Sequence, residues 1–257
     1  MNTLACIKRV PNTGAKIILT DDEQQIDTSN LGFTIAPHEE CAIEEAIQQA
    51  ENHNGSATVL SVGPDGAGEQ LRTALAMTAD EATLLETDDD QWRPRETAAA
   101  IADAIRTDGG DDLSFDLMFF GNESADAANH QVGVRVAKAL DIPFVGGVTD
   151  VRIDGNTVVA RRDVTGGAEV YELDLPAALG VKEGVNKPRY ASMRAKMQAR
   201  KQSIERREPI RADFDGGLEK IRLEASESQG GDAEILGEGS DAAPAVAELL
   251  TDGLEVI

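Results

Sequence analysis

The run DLMFFGNESADAANHQVGVRVAKALDIP, residues 116–143, brings an apolar strand-like stretch to a glycine, then a polar loop, then a helix-like pattern from about Ala127. A loop in that position is where phosphates and riboses settle, because free N–H groups converge at the start of the helix. Ser124, Asp126, Asn129 and Gln131 offer polar groups to such a ligand, Gly121 permits a sharp departure from the strand, and Gly133 permits close approach. An ordinary strand-to-helix connection capped by Asp126 or Asn129 accounts for the same residues. A second concentration of chemistry lies further on. Lys187, Arg189, Arg194, Lys196, Arg200, Lys201, Arg206 and Arg207 fall in one span broken by a single acid, Glu205, with Tyr190 and Met193 among them. An apolar side chain inside a cationic rim is the arrangement of a docking surface. The plainer alternative is one amphipathic helix.

Other chemistries lack their residues. Cys6 and Cys41 make no CxxC and no disulfide framework, and His38, His53 and His130 stand apart, so metal-ligand spacing is absent. No GxGxxG follows a strand-like run, no GxxxxGK[ST] or GxSxG occurs, and no SGGxDS loop follows the first strand. His38 beside Glu39 and Glu40 reads as a solvated helix start rather than a base. The chain is therefore expected to carry no catalytic residues and to bind no metal.

Charge narrows the partners. Forty-seven Asp and Glu against 24 Lys and Arg give a formal net charge of −23, which repels nucleic-acid phosphates and anionic membranes. Acids spread over loops, such as TDDE at 20–23 and ETDDD at 86–90, together with few lysines, point to a halophilic setting where repulsion is screened. The N-terminal MNTLACIKRV enters a short strand with no basic region before a long apolar run, and no 18 consecutive apolar residues occur. These features predict a soluble cytoplasmic protein without membrane insertion.

The elements that must hold these residues are legible as periodicity. Strand-like runs TLACIK, ATVLSV (57–62), EATLLE (81–86) and FDLMFF (115–120) alternate with helix-like runs PHEECAIEEAIQQAE, GAGEQLRTALAM, PRETAAAIADAIRT and ANHQVGVRVAKAL. That alternation predicts an α/β fold with a doubly wound, mostly parallel, Rossmann-like sheet. After about Pro143, VGGVTDVRID, NTVVARRDV and EVYELDLPAALGV predict consecutive strands with turns at 154–156 and 165–167, extending the sheet by β-hairpins. From Lys187 the pattern predicts a basic helix. ASESQGGDAEILGEGSDAAPA reads as a linker and AVAELLTDGLEVI as a terminal helix. The expected organisation is a nucleotide-binding domain over 1–223 and a C-terminal arm over 224–257.

In order and spacing, CIKRVPNTGAKI, APHEECAIEEAI, LRTALAMTAD, DLMFFGNESADAANHQVG and RRDVTGGAEVYELDLPAALGVKEGVNKPRYASMRAKMQARKQSIE resemble the β subunit of electron-transfer flavoproteins. The resemblance implies an adenine-nucleotide-binding fold that pairs with an α subunit. That α subunit mainly holds the redox-active FAD. Electrons would come from flavin dehydrogenases, such as acyl-CoA dehydrogenases, and pass to a membrane quinone oxidoreductase. It implies a buried AMP, or a second FAD in a bifurcating branch. Nucleotide contacts carry over to Cys6, to Ala36, Pro37, His38 and Glu39, to Val62, and to Glu123, Ser124, Ala125, Asp126, Ala127, Ala128, Asn129, His130, Gln131, Val132, Gly133 and Val134. Partner recognition carries over to about 181–201, with Met193 at the anchor and Arg189, Tyr190, Arg194 and Lys196 around it. The sequence departs from the family at that anchor, commonly Leu, at Thr13, which is Tyr in some members, and at ADAANHQVG, which lacks the DGDSGQ pattern of many bacterial members. The alternative reading is a free-standing adenine-nucleotide-binding regulator of the same fold.

Overall fold

In the computed structural model the described residues are 1–12, 14, 16–88, 92–106, 113–212, 214, 216, 220–225 and 235–253. The first strand, β1 (Thr3–Ile7), is buried along its whole length. Two short strands, β2 (Val10–Pro11) and β3 (Phe33–Thr34), pair antiparallel and lead into helix α1 (Pro37–Asn52). Then follow β4 (Ala57–Gly63), α2 (Gly68–Ala76), β5 (Glu81–Glu86), α3 (Pro94–Ala104), β6 (Leu117–Gly121) and α4 (Val132–Leu140). The remaining elements are β7 (Phe144–Asp154), β8 (Thr157–Val164), β9 (Gly167–Asp174), β10 (Ala177–Val181), α5 (Met193–Ala199), β11 (Glu205–Arg207) and α6 (Ala243–Glu248).

These strands form one nine-stranded sheet in the order β11-β5-β4-β1-β6-β10-β7-β8-β9. Every neighbour from β11 to β7 is parallel, and β8 and β9 add antiparallel. Central strands such as LMFFG and AALGV are covered on both faces and so read as continuous apolar runs, whereas β9 alternates with one face in solvent. On one face the core joins Ile43 and Ile47 of α1 to Leu71 and Leu75 of α2. On the other it joins Ile101 and Ile105 to Val136 and Ala137 of α4. The doubly wound sheet extended by a hairpin layer is thus observed.

Three boundaries differ from the sequence reading. The expected helix start near Ala127 falls at Val132, because Ala128 and His130 have left-handed backbone (φ 45° and 51°) that an α-helix cannot contain. Neither Asp126 nor Asn129 caps it; Gln131 holds the cap position without a side-chain bond. The run EVYELDLPAALGV is two strands rather than one. It divides at the cis peptide Leu175–Pro176, where proline cannot donate to a ladder, and β10 then inserts between β6 and β7. The basic run is not one helix either. Its helical part ends at Ala199, and Arg206 and Arg207 lie in the edge strand β11 beside β5.

Beyond the sheet, residues 220–223 lie against the turn at 20–25. The Leu223 N–H donates to the Glu23 carbonyl (2.8 Å), and Gln24 Nε2 donates to the Ile221 carbonyl (2.8 Å). In the terminal arm, α6 has no buried residue. Residues 226–234 of the expected linker, and Thr13, lie outside the described residues.

Candidate functional site

The sheet reverses its winding between β1 and β6. The connection after β1 runs over one face through α1, and that after β6 runs over the other through α4. In a parallel sheet this leaves a crevice beyond the carboxyl ends of the two strands. A partly open cleft of about 150 Å³ occupies it. Cys6 enters from β1 and Lys8 and Arg9 from just after it, Val62 and Gly63 from β4, Phe120 from β6 with Asn122 and Ser124 from the loop that follows, and Gln131 to Gly133 from the start of α4.

The geometry around Glu39 shows how tightly this crevice is built. Glu39 lies in the first turn of α1 and reaches back so that the Ala36 N–H donates to its Oε2 (3.3 Å). Its side chain crosses Gly121; a Cβ there would sit 2.6 Å from Glu39 Cγ. The glycine ending β6 is therefore required by the acid that packs over it. Burial pushes the Glu39 carboxyl up to about 8, although backbone N–H groups of Lys8 and Ala36 and the Lys8 charge oppose the shift. At pH 7 it is neutral and holds a proton. Beside it the Cys6 thiol is driven far above its ordinary value, first by burial and then by Glu39. A thiol held that way is not a nucleophile.

The loop 122–131 is anchored at Asn122 and Asp126 and closed on itself by His130 and Glu123. Asn122 accepts a hydrogen bond from the Gly147 N–H through Oδ1 (2.8 Å), and its own N–H donates to the Val181 carbonyl (2.9 Å). Asp126 pairs with Lys8 (2.5 Å), and His130 Nε2 lies 2.7 Å from Glu123. Burial disfavours charge on Asp126, but the Lys8 ammonium holds its carboxyl below the ordinary range. Gly133, in the first turn of α4, lies against Phe144 and Phe120, and a Cβ there would come within 2.9 Å of Phe144. The crevice thus combines two cations, a helix start without a side-chain cap, a neutral acid and an apolar wall from Phe120, Trp92 and Ile101. Chemically this suits a ligand with one anionic end and one flat, weakly polar end.

A profile of the electron transfer flavoprotein domain matches residues 24–212. The chain is 36% identical over 215 residues to the electron transfer flavoprotein subunit beta of Bacillus subtilis, covering 84% of this chain and 82% of that one. The protein of the same name from Syntrophomonas wolfei is 34% identical over 207 residues, covering 79% and 78%. This chain belongs to the electron transfer flavoprotein β-subunit family.

Of the nucleotide contacts that family resemblance suggests, the fold gathers Cys6, Glu39, Val62, Glu123, Ser124, Asn129, His130, Gln131, Val132 and Gly133 around the crevice. Ala36, Pro37 and His38 form the entry to α1 behind it, and Ala125 to Ala128 run along the loop without lining it. Val134 faces a neighbouring groove with Arg162, Tyr171 and Lys182. Sequence reasoning missed Lys8, Arg9, Asn122, Trp92 and Phe144. Adjacent cations closing the first strand of so acidic a chain were the available signal for Lys8 and Arg9; Trp92 and Phe144 are united with the site only by the fold.

The segment to which the family resemblance carries partner recognition lies apart from the crevice lining. Tyr190, Met193 and Met197 are 90%, 75% and 61% exposed, and Lys196 lies over the Tyr190 ring at 4.9 Å. Arg189 differs from its neighbours in pointing inward to Glu44, Glu51 and Thr78 (2.8–3.3 Å). Among the described residues no His, Cys, Asp and Glu cluster is suited to a metal, and no helix is long and apolar enough to cross a membrane.

Proposed function

We propose that the chain is the non-catalytic β subunit of a heterodimeric electron carrier. Its crevice holds an adenine nucleotide and its α5 surface meets flavin dehydrogenases. The observation that carries this reading is the crevice between β1 and β6, where Lys8, Arg9 and the open start of α4 converge opposite an apolar wall in a family of flavoprotein subunits. Lys8, oriented by Asp126, and the first-turn N–H groups of α4 would hold the phosphate. Glu39, Val62 and the Phe120 side would meet the nucleoside. Glycine at 121 and 133 lets Glu39, Phe144 and Phe120 pack close, and that packing shapes the crevice. AMP satisfies this set of donors, and FAD would add a second half that must extend through the open mouth.

The electron-carrying group is FAD, held mainly by an α subunit, and when bound it supplies the redox chemistry. This chain's contribution is to exclude water, fix the nucleotide and present a docking face. The acceptor is a membrane quinone oxidoreductase reached from solution. The test is to co-express the chain with an α-type partner, denature the purified complex and count the released nucleotides. One FAD and one AMP per heterodimer are expected; two FAD would place the protein in the bifurcating branch. A colourless homodimer without an α partner would reject the carrier reading.

A further inference from the structure

The docking face rests on a helix too short to stand alone. Seven residues make fewer than two turns of α5, and an isolated helix of that length is not stable in water. Apolar side chains as exposed as Met193 and Met197 do not hold it in place, and only Ala199 of its residues is buried. Its rigidity must come from elsewhere.

Three contacts supply it. At the start of α5, Ser192 caps, with its Oγ accepting from the Ala195 N–H (3.2 Å). Just before it, the Arg189 guanidinium joins Glu44 and Glu51 of α1 and the Thr78 hydroxyl, while its backbone N–H donates to Glu44 (2.9 Å). The Glu44 side chain is 4% exposed, and Arg189 keeps its carboxyl charged against the opposing effect of burial. At the far end, Arg72 of α2 points Nη1 at the carbonyls of Ala199 (2.9 Å), Arg200 (3.2 Å) and Gln202 (3.2 Å). These carbonyls belong to the last residue of α5, its cap and the turn beyond, so the cation lies at the negative end of the helix dipole.

We propose that Arg72 and Arg189 are positioning residues, fastening α5 to α2 and α1 so that Tyr190, Met193 and Met197 are presented as a preformed surface. The proposal rests on the reading of that surface as the dehydrogenase docking face. Its physical content is preorganisation: a segment ordered one-tenth of the time binds about tenfold more weakly than one ordered throughout, with the contacts themselves unchanged. The two arginines thus act on affinity without touching the partner.

Arg72 gives the cleaner test, because removing Arg189 strands a buried carboxylate on Glu44 and threatens the fold. In the purified heterodimer, Arg72→Met should abolish hydrogen-exchange protection of amides 195–199. It should also raise KM for the carrier as electron acceptor of a flavin dehydrogenase about tenfold at unchanged kcat, with melting temperature and flavin content retained. Arg72→Lys, which restores a cation within reach of the carbonyls, should recover most of both effects. The pair Arg189→Met with Glu44→Gln should behave like Arg72→Met. Unchanged protection of 195–199 in Arg72→Met overturns the proposal, as does unchanged KM there when Met193→Ala raises it. If Met193→Ala leaves KM unaltered, the docking reading fails, and the exchange measurement alone then decides the positioning role.

Discussion

Glu39 is a buried acid that the fold keeps protonated, and its titration gives a measurable consequence. Its ordinary value of 4.5 rises to about 8 in the folded chain. Between those values the folded state holds a proton that the unfolded state has lost. Stability therefore falls as pH rises through this window and flattens above about pH 8. Glu39→Gln, neutral at every pH and able to accept from the Ala36 N–H, should remove that slope. It should match the parent near pH 4 and exceed it at pH 8 by on the order of a few kcal/mol. Denaturant unfolding of both proteins across that range checks it, and parallel curves would contradict it. A second single-residue test concerns the crevice rather than the acid. Replacing Gly133 with Leu forces side-chain atoms against Phe120 and Phe144 at the start of α4. The variant should release at least tenfold less nucleotide on denaturation, whereas the same change at Gly167, which has open space around it and no left-handed backbone, should leave nucleotide content intact.

At the level of elements, periodicity located the strands and helices of the parallel layer because each is either an amphipathic helix or a short apolar run. β5 begins and ends where EATLLE does, and α1 starts at Pro37 as its acidic first turn suggests. What failed was local backbone. Nothing in ADAANHQ announces a left-handed Ala128, since alanine ordinarily enters helices, whereas His130 is of a type that tolerates that region. Nor does the proline inside EVYELDLPAALGV reveal that the second half of the run crosses to another place in the sheet. The site was legible as a loop after β6, but the partners that close it come from β1, α3 and β7, and only tertiary structure brings them there. The terminal arm poses the opposite case. Its α6 is found as a helix but buries none of its residues, and Val246 and Leu249 stay open to solvent. Such a segment is expected to dock on the α subunit. Truncation after Ala225 should weaken the heterodimer at least tenfold, measured by sedimentation at falling concentration, while the melting of the isolated β chain stays unchanged. Equal dimer affinity with and without the arm would refute it.

Over the whole molecule, a net charge of −23 sets long-range attraction and contact burial in competition at the docking face. The cations of α5 interrupt that negative field, so at low salt they should govern how fast a partner arrives. Met193 acts only after contact. Truncating it to Ala removes groups worth roughly 0.8 kcal/mol per methylene when fully buried, which lowers partner affinity about tenfold or more. Reversing the neighbouring charge with Arg194→Glu should instead slow association, and the defect should shrink as salt rises because screening shortens to about 3 Å at 1 M. Burial of an apolar side chain escapes that screening. Rates of reduction by a partner dehydrogenase, measured from about 0.1 M to molar salt, should therefore show the two variants exchanging rank, with Met193→Ala the more damaging at the high end. If Arg194→Glu remains the worse variant at molar salt while flavin content is equal in both, the apolar anchor is not what holds the complex. Charge would then have to act at contact distance, inside the interface, where bulk ions do not reach.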